Sequence, residues 1–169
     1  MKSIIEPEFS ANGSAKDLRE DTVVAGFGSP HGDDQAGWQV LVLLGRRPHP
    51  RTRFVKITEG TQLIGELDGC RRLIIVDACR GGAQIGATTH LKWPDPRIRQ
   101  YHNHSTHGVG LCNTLHLAER LSRLPPSVEV FGIEIGNCWP LGEMSPAVVR
   151  AVVELEAVIG AEICDAAYA

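Results

Sequence analysis

The chain has 169 residues, of which 43% are hydrophobic and 22% are charged, and its formal net charge is -3 at pH 7. This composition is typical of a soluble globular protein, and the length suits one domain with a sizeable core. The weak charge and the lack of a block of basic residues argue against a nucleic-acid partner. The longest apolar runs, such as Val40–Leu44, are too short to span a bilayer, which argues against a membrane partner.

The N-terminal residues 1–21 are polar and lack the apolar stretch of a secretory signal. We therefore expect a flexible arm there, followed by a single α/β domain over residues 22–169. The cysteine count is odd, and no pair has the C-x-x-C spacing, which argues against a disulfide framework and a zinc knuckle. These features predict a reducing, cytoplasmic location in which most of the thiols are small buried hydrophobes.

The first half of the chain alternates between strand and helix patterns. A β-branched run at residues 22–26 predicts a buried strand with a loop at its carboxyl end. A helix is predicted at residues 35–44, with Asp33 or Asp34 as its N-cap. The elements predicted next are a strand at 53–58, a short helix at 61–67 and a central parallel strand at 73–77.

The second half continues the alternation. The pattern predicts a strand near a sheet edge at 88–93, a loop at 94–105, a helix at 108–124 and a strand at 128–135. Ser145 and Pro146 suit the start of a final helix, as N-cap and first helical residue. The apolar stripes of the last two helices are Leu111, Leu115, Ala118 and Leu121, and then Val148, Val152, Leu155, Ile159 and Ile163.

This order of elements predicts the fold class. Alternating strands and helices indicate a three-layer α/β sandwich, with a mostly parallel twisted sheet flanked by helices. Ligands of such sheets bind beyond the carboxyl ends of the strands. Residues at those ends are therefore the first candidates for function.

The segment after the first strand has the sequence Gly-Phe-Gly-Ser-Pro-His-Gly-Asp-Asp. Gly26 and Gly28 begin a dinucleotide-binding fingerprint, but His31 stands where the third glycine belongs, so a tight turn is favoured over nucleotide binding. The adjacent charges of Asp33 and Asp34 need compensation from a helix N-terminus or from a cation. Taken alone, this segment favours the structural role, with one acid as a cap and the other solvated.

Two further residues are candidate metal ligands. Asp77 ends an apolar strand, and a carboxylate there needs a loop amide, a cation or a metal as its partner. His102, His104 and His107 lie close together in the sequence, and imidazole suits nickel and zinc. His107 differs from the other two because a strong helix pattern follows it and would anchor its ring. Asp34, Asp77 and His107 together suit an open site for a divalent transition metal.

Hydrolytic chemistry of other kinds is less well supported. The chain has no Gly-x-Ser-x-Gly segment, which argues against a serine hydrolase. A thiol hydrolase stays open in principle, since Cys79 follows Asp77 by two residues. Cys112 follows His107 by five residues, a spacing that does not place two side chains together on a helix.

Three motifs resemble those of the hydrogenase maturation endopeptidases, which remove a carboxy-terminal extension from the large subunit of nickel-iron hydrogenases. The first is Gly-x-Gly followed by a pair of acids, at residues 26–37. The second is an apolar strand ending in Asp-Ala at residues 73–78, and the third is Ser-x-His-x-x-Gly at residues 105–110. Glu59-Gly60-Thr61 resembles the Gly-Gly-Thr turn of the family. Each motif is weak alone, but their order and separations make them jointly specific.

The resemblance implies roles for particular residues. Asp34, Asp77 and His107 correspond to the metal ligands and the catalytic residues, with Asp33 and His31 as secondary candidates. It also implies that the nickel arrives with the substrate, a nickel-loaded large-subunit precursor. We therefore expect no tightly held cofactor in the protein itself.

The implied function is a nickel-dependent endopeptidase that removes the C-terminal extension of this precursor. The alternative is a nickel-recognising chaperone that docks the large subunit without cutting it. The chain departs from the family motif at Ser29 in place of Asn, at Gln35 in place of Gly, and at His31 in place of an apolar residue. These departures leave open whether Asp33 or Asp34 contacts the metal.

Overall fold

In the computed structural model, which describes residues 21–98 and 110–166, five strands form one sheet. They are β1 (Thr22–Phe27), β2 (Thr52–Ile57), β3 (Arg72–Cys79), β4 (Thr88–Lys92) and β5 (Ser127–Glu134). Their order across the sheet is β2-β1-β3-β5-β4, and only β4, at one edge, runs antiparallel to its neighbour. The predicted mostly parallel sheet, with β3 at its centre, is confirmed.

Helices cover both faces of this sheet. They are α1 (Ala36–Leu44), α2 (Gly60–Gly65), α3 (Leu111–Arg120) and α4 (Pro146–Ala166). Buried residues of α1 and α4 form one core with the sheet, and buried residues of α2 and α3 form the other. The predicted three-layer sandwich is therefore confirmed. No helix in the described part of the chain is long and apolar enough to cross a bilayer.

The central strand β3 is apolar almost throughout because both of its faces are buried. Ile74 and Val76 pack in the core with α1 and α4, whereas Leu73 and Ile75 pack in the core with α2 and α3. Side chains alternate between the two faces of a strand. The side chain of Asp77 therefore lies on the face that α2 and α3 cover.

Glycines allow β1 and α1 to approach each other closely. A Cβ atom on Gly37 would lie 2.3 Å from the carbonyl oxygen of Phe27 and 2.6 Å from that of Val76. A Cβ atom on Gly26 would lie 2.5 Å from the carbonyl oxygen of Gly37. Both glycines therefore serve packing between the strand and the helix, and Gly26 lies inside β1 rather than in the predicted tight turn.

The start of α1 differs from the prediction. Asp33 and Asp34 lie inside a 3₁₀ turn (Gly32–Gln35), and the N-cap of α1 is Gln35, which makes no side-chain capping hydrogen bond. The prediction that one of these acids caps the helix while the other is solvated is wrong, because neither is a cap and both are buried. The physical reason is that other groups bind both carboxylates, as described below.

Two smaller differences lie around α3. Leu121 was expected in the buried stripe, but α3 ends at Arg120 and Leu121 is 53% exposed. Arg97 and Ile98 are helical, although the sequence predicted a loop at residues 94–105. The other predicted stripe residues of α3 and all those of α4 are buried, namely Leu111, Leu115, Ala118, Val148, Val152, Leu155, Ile159 and Ile163.

The predicted N-terminal arm lies outside the described residues except at its last position. The carbonyl oxygen of Asp21 accepts hydrogen bonds from the backbone N–H groups of Arg71 and Arg72, at N–O distances of 2.7 and 3.0 Å. Its carboxylate also forms an ion pair with Arg51. Asp21 is thus joined to the ends of β2 and β3.

Candidate active site

Asp77 is a buried acid in the central strand of the sheet. Asp77 is only 3% exposed, and its Cα atom is paired with that of Gly132 in β5. The strand was expected to end at Asp77 but continues to Cys79, because the pairing with β5 continues for two more residues. Asp77 therefore lies near the carboxyl edge of the sheet, where α/β proteins bind their ligands.

Asp34 lies at the same edge, in the 3₁₀ turn between β1 and α1. It is 8% exposed, and the Ser29 hydroxyl donates a hydrogen bond to its carboxylate. Its backbone N–H donates to the carbonyl of His31 at 3.0 Å, and its carbonyl accepts from the N–H of Ser29 at 3.2 Å. The turn also contacts β3. The fold thus brings two buried acids to one edge of the sheet.

His107 lies outside the described residues, as do His102 and His104. In the sequence, His107 precedes Gly110, the N-cap of α3, by three residues. Across residues 21–98 and 110–166, no three His, Cys, Asp or Glu side chains are grouped closely enough to hold a metal ion. The convergence of Asp34, Asp77 and His107 therefore stays a prediction.

Asp33 has a structural role in the loop of residues 135–145, here called the β5–α4 loop. It is completely buried, and its carboxylate accepts the backbone N–H groups of Gly136, Asn137 and Ser145 at 3.1, 2.9 and 2.6 Å. Burial alone would raise the pKa of this carboxyl group, but the three backbone donors hold it below its ordinary value. Asp33 is therefore a charged anchor for the loop.

His31 and Gln35 hold the far end of the same loop. The ring Nδ1 of His31 accepts the backbone N–H of Leu141 at 3.1 Å. The side-chain amide of Gln35 donates to the carbonyl of Gly142 at 3.0 Å, and the backbone N–H of Gly32 donates to the same carbonyl at 3.2 Å. The secondary candidates His31 and Asp33 thus position the loop beside Asp34.

The chemistry of Cys79 disfavours a thiol hydrolase at this position. The residue is 4% exposed, and burial, together with the nearby carboxylates of Glu134 and Asp77, raises the pKa of its thiol to about 12. A thiol with such a pKa is protonated at neutral pH and is a poor nucleophile. Cys79 is a buried hydrophobe. The prediction that most of the cysteines are buried is wrong, because Cys70, Cys112 and Cys138 are half-buried and Cys164 is exposed.

Glu134 is a buried acid that sequence analysis missed. Its carboxylate accepts the N–H of Gly81 at 2.8 and 3.0 Å and the N–H of Gly82 at 2.9 Å, which fixes the turn after β3. Ser29, which stands in place of the Asn of the family motif, donates a hydrogen bond from its hydroxyl to Asp34. Glu134 lies at the carboxyl end of β5, and Ser29 follows the carboxyl end of β1. Functional loops begin at such ends, so these positions in the sequence could have indicated both residues as candidates.

Several solved hydrogenase maturation proteases share this fold. The structure is similar to the hydrogenase maturating endopeptidase HybD from E. coli, with a TM-score of 0.73 and 19% identity, covering 86% of this chain and 93% of that one. It is also similar to the hydrogenase maturation protease HycI from Thermococcus kodakarensis KOD1, with a TM-score of 0.68 and 21% identity, covering 88% and 94%. A hydrogenase 2 maturation peptidase from Thaumarchaeota archaeon SCGC_AB-539-E09 gives a TM-score of 0.57 and 26% identity, covering 82% and 94%.

A match to a family model shows the family of this chain. Residues 58–162, more than half of the chain, match the family model HycI, hydrogenase maturation protease. The chain therefore belongs to the hydrogenase maturation protease family, and it is a peptidase. Asp77 and His107 lie inside the matched range, whereas Asp34 precedes it. A search of curated proteins found no match.

Proposed function

We propose that this peptidase removes the C-terminal extension from the large-subunit precursor of a nickel-iron hydrogenase. Membership of the hydrogenase maturation protease family supports a role in processing that subunit. The observation that carries the proposal is the burial of Asp77, which is 3% exposed at the carboxyl edge of the central strand. An acid at this position suits a part in chemistry, because α/β proteins bind their ligands beyond the carboxyl ends of the parallel strands.

The proposed site holds nickel through Asp34, Asp77 and His107, and the nickel comes with the precursor. Two features of the described residues support this set. Asp34 and Asp77 are both buried at the same edge of the sheet. The helix α3, whose N-cap Gly110 follows His107 closely in the sequence, packs on the sheet face that carries Asp77. Two carboxylates and an imidazole leave coordination positions open for the substrate.

The reaction is the hydrolysis of one peptide bond. Water adds to the scissile carbonyl carbon, the carbon–nitrogen bond breaks, and the new amine takes up a proton. A divalent ion next to the carbonyl polarises it or lowers the pKa of the attacking water. A carboxylate at the same edge accepts the proton that the water loses. Asp34 and Asp77 are our candidates for that role.

Incubation with purified precursor tests the proposal. A nickel-loaded precursor should lose its C-terminal peptide, which mass spectrometry detects as a shorter large subunit together with the released fragment. The matched control is the same precursor prepared without nickel, which should stay intact. A stable complex with an uncut nickel-loaded precursor would instead support the chaperone alternative. Full cleavage of the nickel-free precursor would show that nickel recognition is not part of the mechanism.

A further inference from the structure

The β5–α4 loop exposes two large apolar side chains beside the candidate active site. Trp139 is 71% exposed and Leu141 is 80% exposed. Elsewhere in the described part of the chain, no large hydrophobic residue is more than 53% exposed. Single exposed apolar residues are common, but two of this size on one short loop form a patch that suits contact with another molecule.

The backbone under these side chains is fixed. The side-chain oxygen of Asn137 accepts the N–H of Trp139 at 2.9 Å, and His31 accepts the N–H of Leu141 at 3.1 Å. Leu141 has a φ angle of 55°, in the left-handed region that residues other than glycine rarely adopt. The contacts around the loop therefore hold a strained residue in place while its side chain faces solvent. A surface ordered in advance loses little conformational entropy when a partner binds.

The loop and the candidate site share one support. His31, Asp33 and Gln35 bind the loop, and Asp34 stands between them in the same short turn. A protein substrate that brings its scissile bond to Asp34 and Asp77 therefore comes close to the loop. The patch therefore belongs to a loop that is hydrogen-bonded to the turn carrying Asp34.

Arg80 and Ile85 contact the first residues of the β5–α4 loop. The exposed guanidinium of Arg80 donates to the carbonyl of Gly136 at 3.3 Å and to the sulfur of Cys138 at 3.4 Å. Ile85, 45% exposed, lies so close to Gly136 that a Cβ atom there would be 2.4 Å from its Cδ1. An apolar centre bordered by polar and charged groups is typical of protein interfaces.

We infer that Trp139 and Leu141 form a docking site for an apolar surface of the large-subunit precursor, next to the segment that is cut. This inference rests on the proposed function. Tryptophan is enriched among the residues that contribute most to protein binding. The docking site holds the folded precursor, whereas the acids at the sheet edge act on the scissile bond.

The test compares variants in the cleavage of nickel-loaded precursor. Trp139→Ala removes the indole, and Leu141→Asn removes the apolar side chain with a residue that tolerates a positive φ. Leu121→Asn is the matched control, because Leu121 is 53% exposed at the C-terminal end of α3, away from the carboxyl edge of the sheet. Steady-state kinetics and thermal unfolding are measured for the three variants and the wild type.

We expect each loop variant to raise KM about tenfold or more, with kcat and the melting temperature close to those of the wild type. The control variant should match the wild type in both constants. If the wild type cleaves the precursor and both loop variants retain its KM, the docking inference is overturned and the proposed function stands. If the wild type neither binds nor cleaves a nickel-loaded precursor, the proposed function fails, and the docking inference fails with it.

Discussion

At the scale of single residues, two adjacent acids differ in what they bind. Asp33 is surrounded by backbone donors from residues more than one hundred positions later in the chain. Asp34 accepts a hydrogen bond from Ser29 and lies at the edge of the sheet near β3. The carboxylate of Asp33 is therefore assigned to stability, and that of Asp34 to the proposed site.

Asp33→Asn should lower the free energy of unfolding by about 2–3 kcal/mol. The amide has one oxygen only, so its NH₂ group must oppose at least one of the backbone donors from Gly136, Asn137 and Ser145. Urea unfolding measures the loss. Asp68→Asn is the control, because that side chain is 76% exposed and its ion pair with Arg123 should matter little. An equal midpoint for Asp33→Asn and the wild type would contradict the anchoring role.

The same carboxylate makes stability depend on pH. Its pKa in the folded protein is lowered by the backbone donors, so the folded state binds the proton less readily than the unfolded state does. Its contribution to stability is complete above the unfolded pKa of about 4 and is lost as the pH falls through the folded value. The free energy of unfolding of the wild type should therefore fall more steeply in acid than that of Asp33→Asn, as urea titrations at several pH values can measure.

Asp77→Asn should reduce cleavage of nickel-loaded precursor by about 100-fold or more, because the change removes the charge proposed to bind the ion or accept a proton. Glu129→Gln is a suitable control. Glu129 is also a buried acid in the sheet, 7% exposed, but it bonds to Arg72 and His90 near the amino ends of the parallel strands. That variant should lose stability while its folded fraction cleaves normally. If Asp77→Asn is mostly unfolded and its folded fraction cleaves the precursor at the wild-type rate, Asp77 has a structural role only.

At the scale of secondary-structure elements, the position of α1 depends on a close contact with β1. Gly37→Ala would place a Cβ atom 2.3 Å from the carbonyl oxygen of Phe27, and backbone cannot move aside as a flexible side chain can. We expect a loss of about 3 kcal/mol in the free energy of unfolding. The displaced helix would also move the turn that carries Asp34, so the cleavage rate should fall.

Gly65→Ala is the matched control for this prediction. Gly65 is the last residue of α2, and a Cβ atom added there has no other atom within 4 Å. Alanine has the higher helix propensity, so this change should leave stability equal or raise it by about 0.5–1 kcal/mol. Similar unfolding midpoints for Gly37→Ala and Gly65→Ala would show that the contact between β1 and α1 can relax.

At the scale of the whole molecule, we expect the described core to be stable without a metal. Two apolar clusters, one on each face of the sheet, hold the helices in place. The melting temperature should therefore be the same before and after treatment with a chelator, and the purified protein should be largely metal-free by elemental analysis. The chelated protein should still cleave nickel-loaded precursor after the chelator is removed. A lower melting temperature after chelation would indicate a resident structural metal.

The local sequence was sufficient to predict the elements and their class. The apolar run at residues 73–76 of β3 predicted burial on both faces, and the apolar stripe of α4 is buried as predicted. These features depend on periodicity within a few residues, which a single sequence contains. The place of Asp77 near the carboxyl edge follows from the same run, although two further pairs with β5 put it inside the strand.

Only the tertiary structure showed which groups Asp33 binds at that edge. Asp33 looks like a helix cap in sequence, but its partners at Gly136, Asn137 and Ser145 become neighbours only when the chain folds. The exposure of Trp139 likewise depends on how the β5–α4 loop is held. Hydrogen bonds between distant segments leave no periodic pattern in the sequence, because each depends on where the whole fold places both groups.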